Sequence, residues 1–208
     1  MFVAVAGIAP CRSLASPRGV RVAVKLLVGL GNPGSAYDST RHNVGFDVLE
    51  RLARRAGSPG RRARFQGEVA QVSLRGCPVL LVWPLTWMNL SGSCVVAARD
   101  FYKIDSSDVL VICDDFNLRS GTIRMRPGGS AGGQNGLADV LRRLGTSDVP
   151  RLRIGIGPVP PGWKSADYVL GKLSRDEREA LEPVLERAAD AAEEWVSVGI
   201  QSAMNRYN

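Results

Sequence analysis

The chain has 208 residues, 45% of them hydrophobic and 23% charged, which suits one globular domain and excludes a fibrous or wholly disordered protein. Lysine and arginine number 27 against 20 acids, a net charge of +7 that favours an anionic partner, most commonly nucleic acid. Cys11, Cys77, Cys94 and Cys113 form no Cys-x-x-Cys pair and there is one histidine, so neither a metal site nor a disulfide framework is expected.

Residues 1–22 carry Arg12, Arg18 and Arg21 with Ser13 and Ser16, and no acid precedes Asp38. That composition is similar to an organelle transit peptide and equally fits a basic, disordered or cleaved extension or a start codon assigned too far upstream, with the domain spanning 23–208. No apolar run approaches the roughly 20 residues that a membrane-spanning helix needs.

Lys25–Leu30 reads as a buried strand ended by glycine, followed by a polar loop to Asn43. Val44, Val48, Leu49 and Leu52 recur at helical spacing and predict a helix over 44–56. Phe65–Leu74 and Val79–Trp83 read as a strand pair, Pro84–Ser91 as a loop and Gly92–Tyr102 as a helix. Val109–Cys113 is an apolar strand stopping at Asp114-Asp115, and Thr122–Arg126 alternates as a short strand. A glycine-rich loop over 128–136 precedes a helix at Leu137–Leu144, then a strand at Leu152–Ile156. Ser174-Arg175-Asp176-Glu177 opens a long helix to Val198 with a capping pattern. Apolar strands alternating with helices predict a single α/β domain with an open mixed, mostly parallel sheet and helices on both faces. Ligands of such sheets bind beyond the carboxyl ends of strands, where Asn32–His42, Pro84–Asn89 and Asp114–Asn117 fall.

Gly29-x-Gly31-x-x-Gly34 formally matches a dinucleotide-binding fingerprint, but Pro33 removes an amide and the helical pattern begins only near residue 44. His42 carries the only imidazole, the side chain that titrates near neutrality. Read as filler it is a surface histidine at a helix start. Read as chemistry, it takes a proton from water, given a carboxylate to hold its tautomer. Asp114, emerging at a strand end, is one candidate for that carboxylate; a pair of loop acids capping a turn with Asn117 is the other reading. Asn89 in Trp87-Met88-Asn89 either enters a helix or orients a substrate carbonyl. The loop Gly128–Gly136 allows close backbone approach to a ligand, or is merely flexible. The arginines crowding 51–64 and 124–153 fit either a solvated face or phosphate binding.

Gly29–Gly34, Thr40–Gly45, Trp87–Gly92, Asp114–Leu118, Gly128–Leu137 and Arg151–Gly157, in this order, resemble the bacterial-type peptidyl-tRNA hydrolases over about residues 24–206. That resemblance implies hydrolysis of the ester joining peptide to tRNA, with no metal or cofactor. By matching motif, His42 resembles the base that activates water and Asp114 its orienting carboxylate. Asn32 and Asn89 resemble amides that position substrate and water. Met88, Tyr37, Gly132, Gln134 and Asn135 fall at substrate-binding positions, and Arg126 and Arg153 match basic positions that grip the terminal phosphate of tRNA. Many members have His where this chain has Gln134, and an acid where it has Asn117. A monomer in the cytoplasm is expected, with a mitochondrial address the alternative if residues 1–22 act as a transit peptide. A catalytically silent RNA-binding relative of the same fold is the alternative function.

Overall fold

The computed structural model describes residues 24–208, so the expected extension at 1–22 lies outside the described residues. The elements, in chain order, are β1 (Lys25–Gly29), α1 (Val44–Arg55), β2 (Arg62–Arg64), β3 (Gly67–Leu74), β4 (Cys77–Pro84), α2 (Ser91–Tyr102) and β5 (Val109–Asp115). Then follow β6 (Ile123–Arg126), α3 (Asn135–Leu144), β7 (Arg151–Gly155), α4 (Ser165–Leu170), α5 (Arg175–Ser197) and α6 (Ile200–Tyr207).

The strands form one sheet in the order β2-β3-β4-β1-β5-β7-β6. Its centre is parallel, with β1 between β4 and β5 and β7 beside β5. The margins are antiparallel, at β2-β3-β4 on one side and β6-β7 on the other. Central strands covered on both faces need apolar side chains in both directions, and β1 supplies them: Leu26, Leu27 and Val28 are wholly buried. Strand alternation then assigns the faces. Leu27 packs with Leu81, Leu110 and Ile112 under α1, α5 and α6. Leu26 and Val28 pack with Leu80, Val82 and Val111 against α2 and α3. This is the predicted open mixed sheet with helices on both faces.

The predicted apolar stripe of α1 faces the sheet, with Val44, Val48, Leu49 and Leu52 fully buried. Each contributes about 1.5–3 kcal/mol relative to exposure. The start of α1 sits unusually close to the sheet. A Cβ on Gly29 would strike the backbone of Gly45, and one on Gly45 would strike the backbones of Leu30 and Ile112. The glycines that mimic a dinucleotide fingerprint therefore include one that serves helix–strand contact, which draws the 32–43 loop over the ends of β1 and β5.

Three elements had no clear sequence signal. β2 is three exposed residues, and α4 is too short to display a period. α6 follows Gly199, whose φ of 104° breaks the helical run after α5. Several boundaries also moved by one or two residues, and two of these bear on the site. β5 continues through Asp114 and Asp115, and α3 begins at Asn135 because Gln134 caps it.

Candidate active site

The loop after β1 is closed by its own amides. Asn32 N donates to Asn43 Oδ1 at 2.8 Å, and Asn43 Nδ2 donates back to Asn32 O at 3.0 Å. Asn32 Oδ1 accepts from Met88 N at 2.9 Å, which ties this loop to the turn after β4. The Asn32 amide NH2 is left without a protein hydrogen-bond partner among the described residues. Arg41 anchors the next turn from behind. Its guanidinium donates to the carbonyls of Tyr168 and Gly171, stacks over the Tyr168 ring at 4.6 Å and pairs with Glu177.

His42 follows, 8% exposed, with Nδ1 2.9 Å from Oδ1 of Asp114. Asp114 lies at the carboxyl end of β5 and is 2% exposed. A carboxylate so buried needs donors. One is the His42 ring and another is Gln134 Nε2, which reaches the same oxygen at 3.1 Å. Asp115 points away from this pair. Its Oδ2 meets the guanidinium of Arg153 at 3.0 Å, and its Oδ1 accepts from Asn117 N at 2.8 Å. The two acids thus differ: Asp114 contacts the histidine ring, and Asp115 caps the turn at Asn117.

His42 forms the wall between two clefts. A larger one, about 330 Å³, is lined by Asn32, Tyr37, Trp87, Met88, Asn89 and Leu170. A smaller one lies over Asp114, Phe116, the Gly132–Gln134 backbone and Ser165. His42, Asn135, Ala166 and Val169 belong to both. Asn89 and Asn135 are exposed and Met88 is buried. Tyr37 and Trp87 meet edge to face at 5.9 Å, giving one end of the larger cleft a rigid apolar wall. Asn32, Tyr37, His42, Met88, Asn89 and Asn135, expected from three separate segments, therefore come together. α4 contributes Ala166, Val169 and Leu170, which sequence reasoning missed; only the Ala166–Val169 spacing hinted at an apolar face.

Gln134 is buried, and both ends of its carboxamide are used on protein groups. Arg153 sits at the edge of the smaller cleft without lining it. Its guanidinium occupies the space where a Cβ on Gly132 would stand. Arg126 is exposed on β6, in register with Arg151 near the amino end of β7, and lines neither cleft. Other arginines are committed to partners within the protein. Arg151 is 2% exposed and donates to the carbonyls of Val149, Gly129, Ser130 and Ser147, which holds the glycine-rich loop. Arg51 and Arg55 pair with Glu182, Glu186, Asp190 and Glu193 of α5.

Comparison with known proteins is consistent throughout. The family model described as peptidyl-tRNA hydrolase matches residues 26–208. The peptidyl-tRNA hydrolase of Rhodopirellula baltica is 50% identical over 186 residues, covering 89% of this chain and 97% of the relative. That of Chlorobaculum parvum is 49% identical over 187 residues, covering 89% and 98%. Among solved structures, peptidyl-tRNA hydrolase from Acinetobacter baumannii superposes with a TM-score of 0.81 at 36% identity, covering 91% of this chain and 99% of that one. A peptidyl-tRNA hydrolase in complex with N-propanol gives a TM-score of 0.82, also at 36% identity, with coverage of 91% and 99%. These likenesses favour hydrolysis over a silent RNA-binding relative.

Proposed function

The chain belongs to the peptidyl-tRNA hydrolase family and hydrolyses peptidyl-tRNA, and we propose that His42 is its general base and Asp114 the carboxylate that orients it. The observation that carries this reading is the buried His42–Asp114 contact at the head of a cleft lined by three carboxamides, those of Asn32, Asn89 and Asn135.

With Nδ1–H donated to Asp114, Nε2 is the ring nitrogen left to accept a proton. It takes that proton from a water, whose oxygen attacks the ester carbonyl carbon. The carbonyl oxygen becomes negative and is stabilised by amide N–H donors, of which the unpartnered Asn32 NH2 and the exposed Asn89 are the nearest to hand. Collapse of the tetrahedral intermediate breaks the bond to the ribose oxygen, which receives the proton from the imidazolium. An ester needs no protein nucleophile, because a positioned water, one base and preorganised donors suffice. Met88, Tyr37 and Asn135 would border the peptide end, with Gly132 and Gln134 on the opposite side of His42.

The tRNA body calls for a sequence-independent grip on phosphate. Arg153 and the exposed Arg126 are the proposed contacts to its terminal phosphate. We further propose that the protein acts as a monomer in the cytoplasm. No helix among the described residues is long and apolar enough to cross a membrane.

The test is hydrolysis of an N-blocked aminoacyl-tRNA by wild type and His42→Ala, without added metal. The expected loss is about a hundredfold or more, the scale of a missing general base. A variant that keeps wild-type turnover would remove His42 from the mechanism.

A further inference from the structure

We propose that Gln134 is a positioning residue for this reaction: anchored at the start of α3, its amide fixes the Asp114 carboxylate that orients His42. The inference rests on the base role of His42 proposed above.

The two ends of the Gln134 carboxamide are assigned by their partners. Oε1 accepts from Leu137 N at 2.7 Å, the N-cap bond of α3. That fixes the oxygen on the helix side and turns the NH2 group toward Asp114 Oδ1 at 3.1 Å and Met88 Sδ at 3.2 Å. The backbone of Gln134 is held as well, with its N–H on Ala131 O and its carbonyl accepting from Ala138 N. One side chain thus joins three elements at the site: the amino end of α3, the carboxyl end of β5 and the turn after β4. Its residue is only 6% exposed. A glutamine that bound substrate through its NH2 group would turn an N–H toward it, whereas both N–H groups of this one face Asp114 and Met88.

The consequence falls on Asp114. Its Oδ1 receives two donors, from His42 Nδ1 and from Gln134 Nε2. Two donors on one oxygen fix the rotation of the carboxylate about its own axis, and with it the line along which the imidazole must donate. Such outer partners commonly hold the orientation of a histidine that does chemistry. Met88 Sδ accepts from the same amide, so the site's carboxylate and one wall of the larger cleft rest on one side chain.

Two variants separate the donor from the helix cap. Gln134→Glu keeps an oxygen for Leu137 N but presents an acceptor, not a donor, to Asp114. Gln134→Leu removes both. Peptidyl-tRNA hydrolysis is measured for kcat and KM separately, and thermal unfolding checks the fold. Because the chain has one histidine, its ring-nitrogen resonances read the His42 tautomer directly. Both variants are expected to lose on the order of tenfold in kcat, the worth of one charge-assisted hydrogen bond, with KM within about twofold by the same reckoning of where the interaction acts. Both are expected to shift the His42 ring-nitrogen resonances from their wild-type positions, because the Asp114 carboxylate facing Nδ1 loses its fixed orientation. Gln134→His, which retains a ring N–H able to donate to Asp114, is expected to recover most of kcat. A rise in KM at unchanged kcat, with unmoved His42 resonances, would overturn the proposal and make Gln134 a substrate contact. Shifted resonances with kcat intact would instead overturn the base role of His42.

Discussion

His42 Nδ1 and Asp114 Oδ1 lie 2.9 Å apart across 72 residues of chain, each side chain at least nine-tenths buried. The pairing follows from the sheet. β1 and β5 are parallel neighbours, so both chains emerge at the same edge, and the close approach of Gly45 to β1 and β5 brings the intervening loop back over that edge. Asp114→Asn tests what the carboxylate supplies. An amide placed there can donate to Nδ1, which would put the proton on Nε2 and leave no base facing the cleft. The expected loss in kcat is on the order of a hundredfold or more with the fold retained. Turnover within a fewfold of wild type would reduce Asp114 to a structural acid.

The two arginines proposed for the terminal phosphate predict different phenotypes. Arg126 is exposed and carries no ion pair among the described residues. Arg126→Gln should weaken tRNA binding, lower the slope of log affinity against log salt by about one, and leave stability unchanged. Arg153 also neutralises the buried Asp115 at 3.0 Å. Arg153→Gln should therefore weaken binding and lower the melting temperature together, because a buried carboxylate loses its partner. Affinity against salt, with melting curves on the same samples, checks both. Equal salt slopes for wild type and Arg126→Gln would remove that residue from the phosphate site.

Much of the site was legible because its residues fall at strand ends, where an apolar run stops and polar residues begin. The segments Asn32–His42, Pro84–Asn89 and Asp114–Asn117 were placed this way, and the fold class followed from the same alternation; within them Asn32, Met88 and Asn89 were singled out by the family resemblance. α4 was not legible: six residues show no period, and its role over His42 depends on Arg41 holding carbonyls of Tyr168 and Gly171. Nor could composition separate the arginines. Arg51, Arg55 and Arg151 look no different in sequence from Arg126, yet they serve α5 and the glycine-rich loop. The acid that claims an arginine is often over a hundred residues away, as Glu186 is from Arg55, and such pairing has no local signature.

The Arg41–Glu177 pair gives acid sensitivity a direction. Burial alone would raise the Glu177 carboxyl, but bonds from the Ser174 backbone N–H, from Arg41 and from the Ser174 hydroxyl outweigh it and hold it below its ordinary value. A carboxyl depressed by folding contributes stability that is complete above its ordinary value of 4.5 and fades as pH falls through the depressed one. Glu177→Gln should lower the melting temperature at neutral pH by about 2 °C, a modest figure because the group is largely solvated. The difference from wild type should close in acid. Melting curves from neutral pH down to about 3, below the ordinary carboxylate range, decide it; a gap that persists unchanged at the acid end would sink the linkage.

Cys113 precedes Asp114 directly on β5 and is wholly buried, which makes it a reporter of whether that strand end opens. Burial pushes the Cys94 thiol up to about 12. It raises Cys113 as well, with the charges of Asp114 and Asp115 adding to the effect. Alkylation requires the thiolate, which at neutral pH is about a hundred-thousandth of a thiol so shifted. An alkylating reagent at pH 7 should therefore leave both residues unmodified and hydrolysis intact, while the unfolded chain reacts fully at each. Peptide mapping by mass spectrometry reads the two sites separately. Rapid modification of Cys113 in the folded protein would mean that β5 opens beside Asp114. The oriented His42–Asp114 pair would then be only one of the arrangements that the site visits.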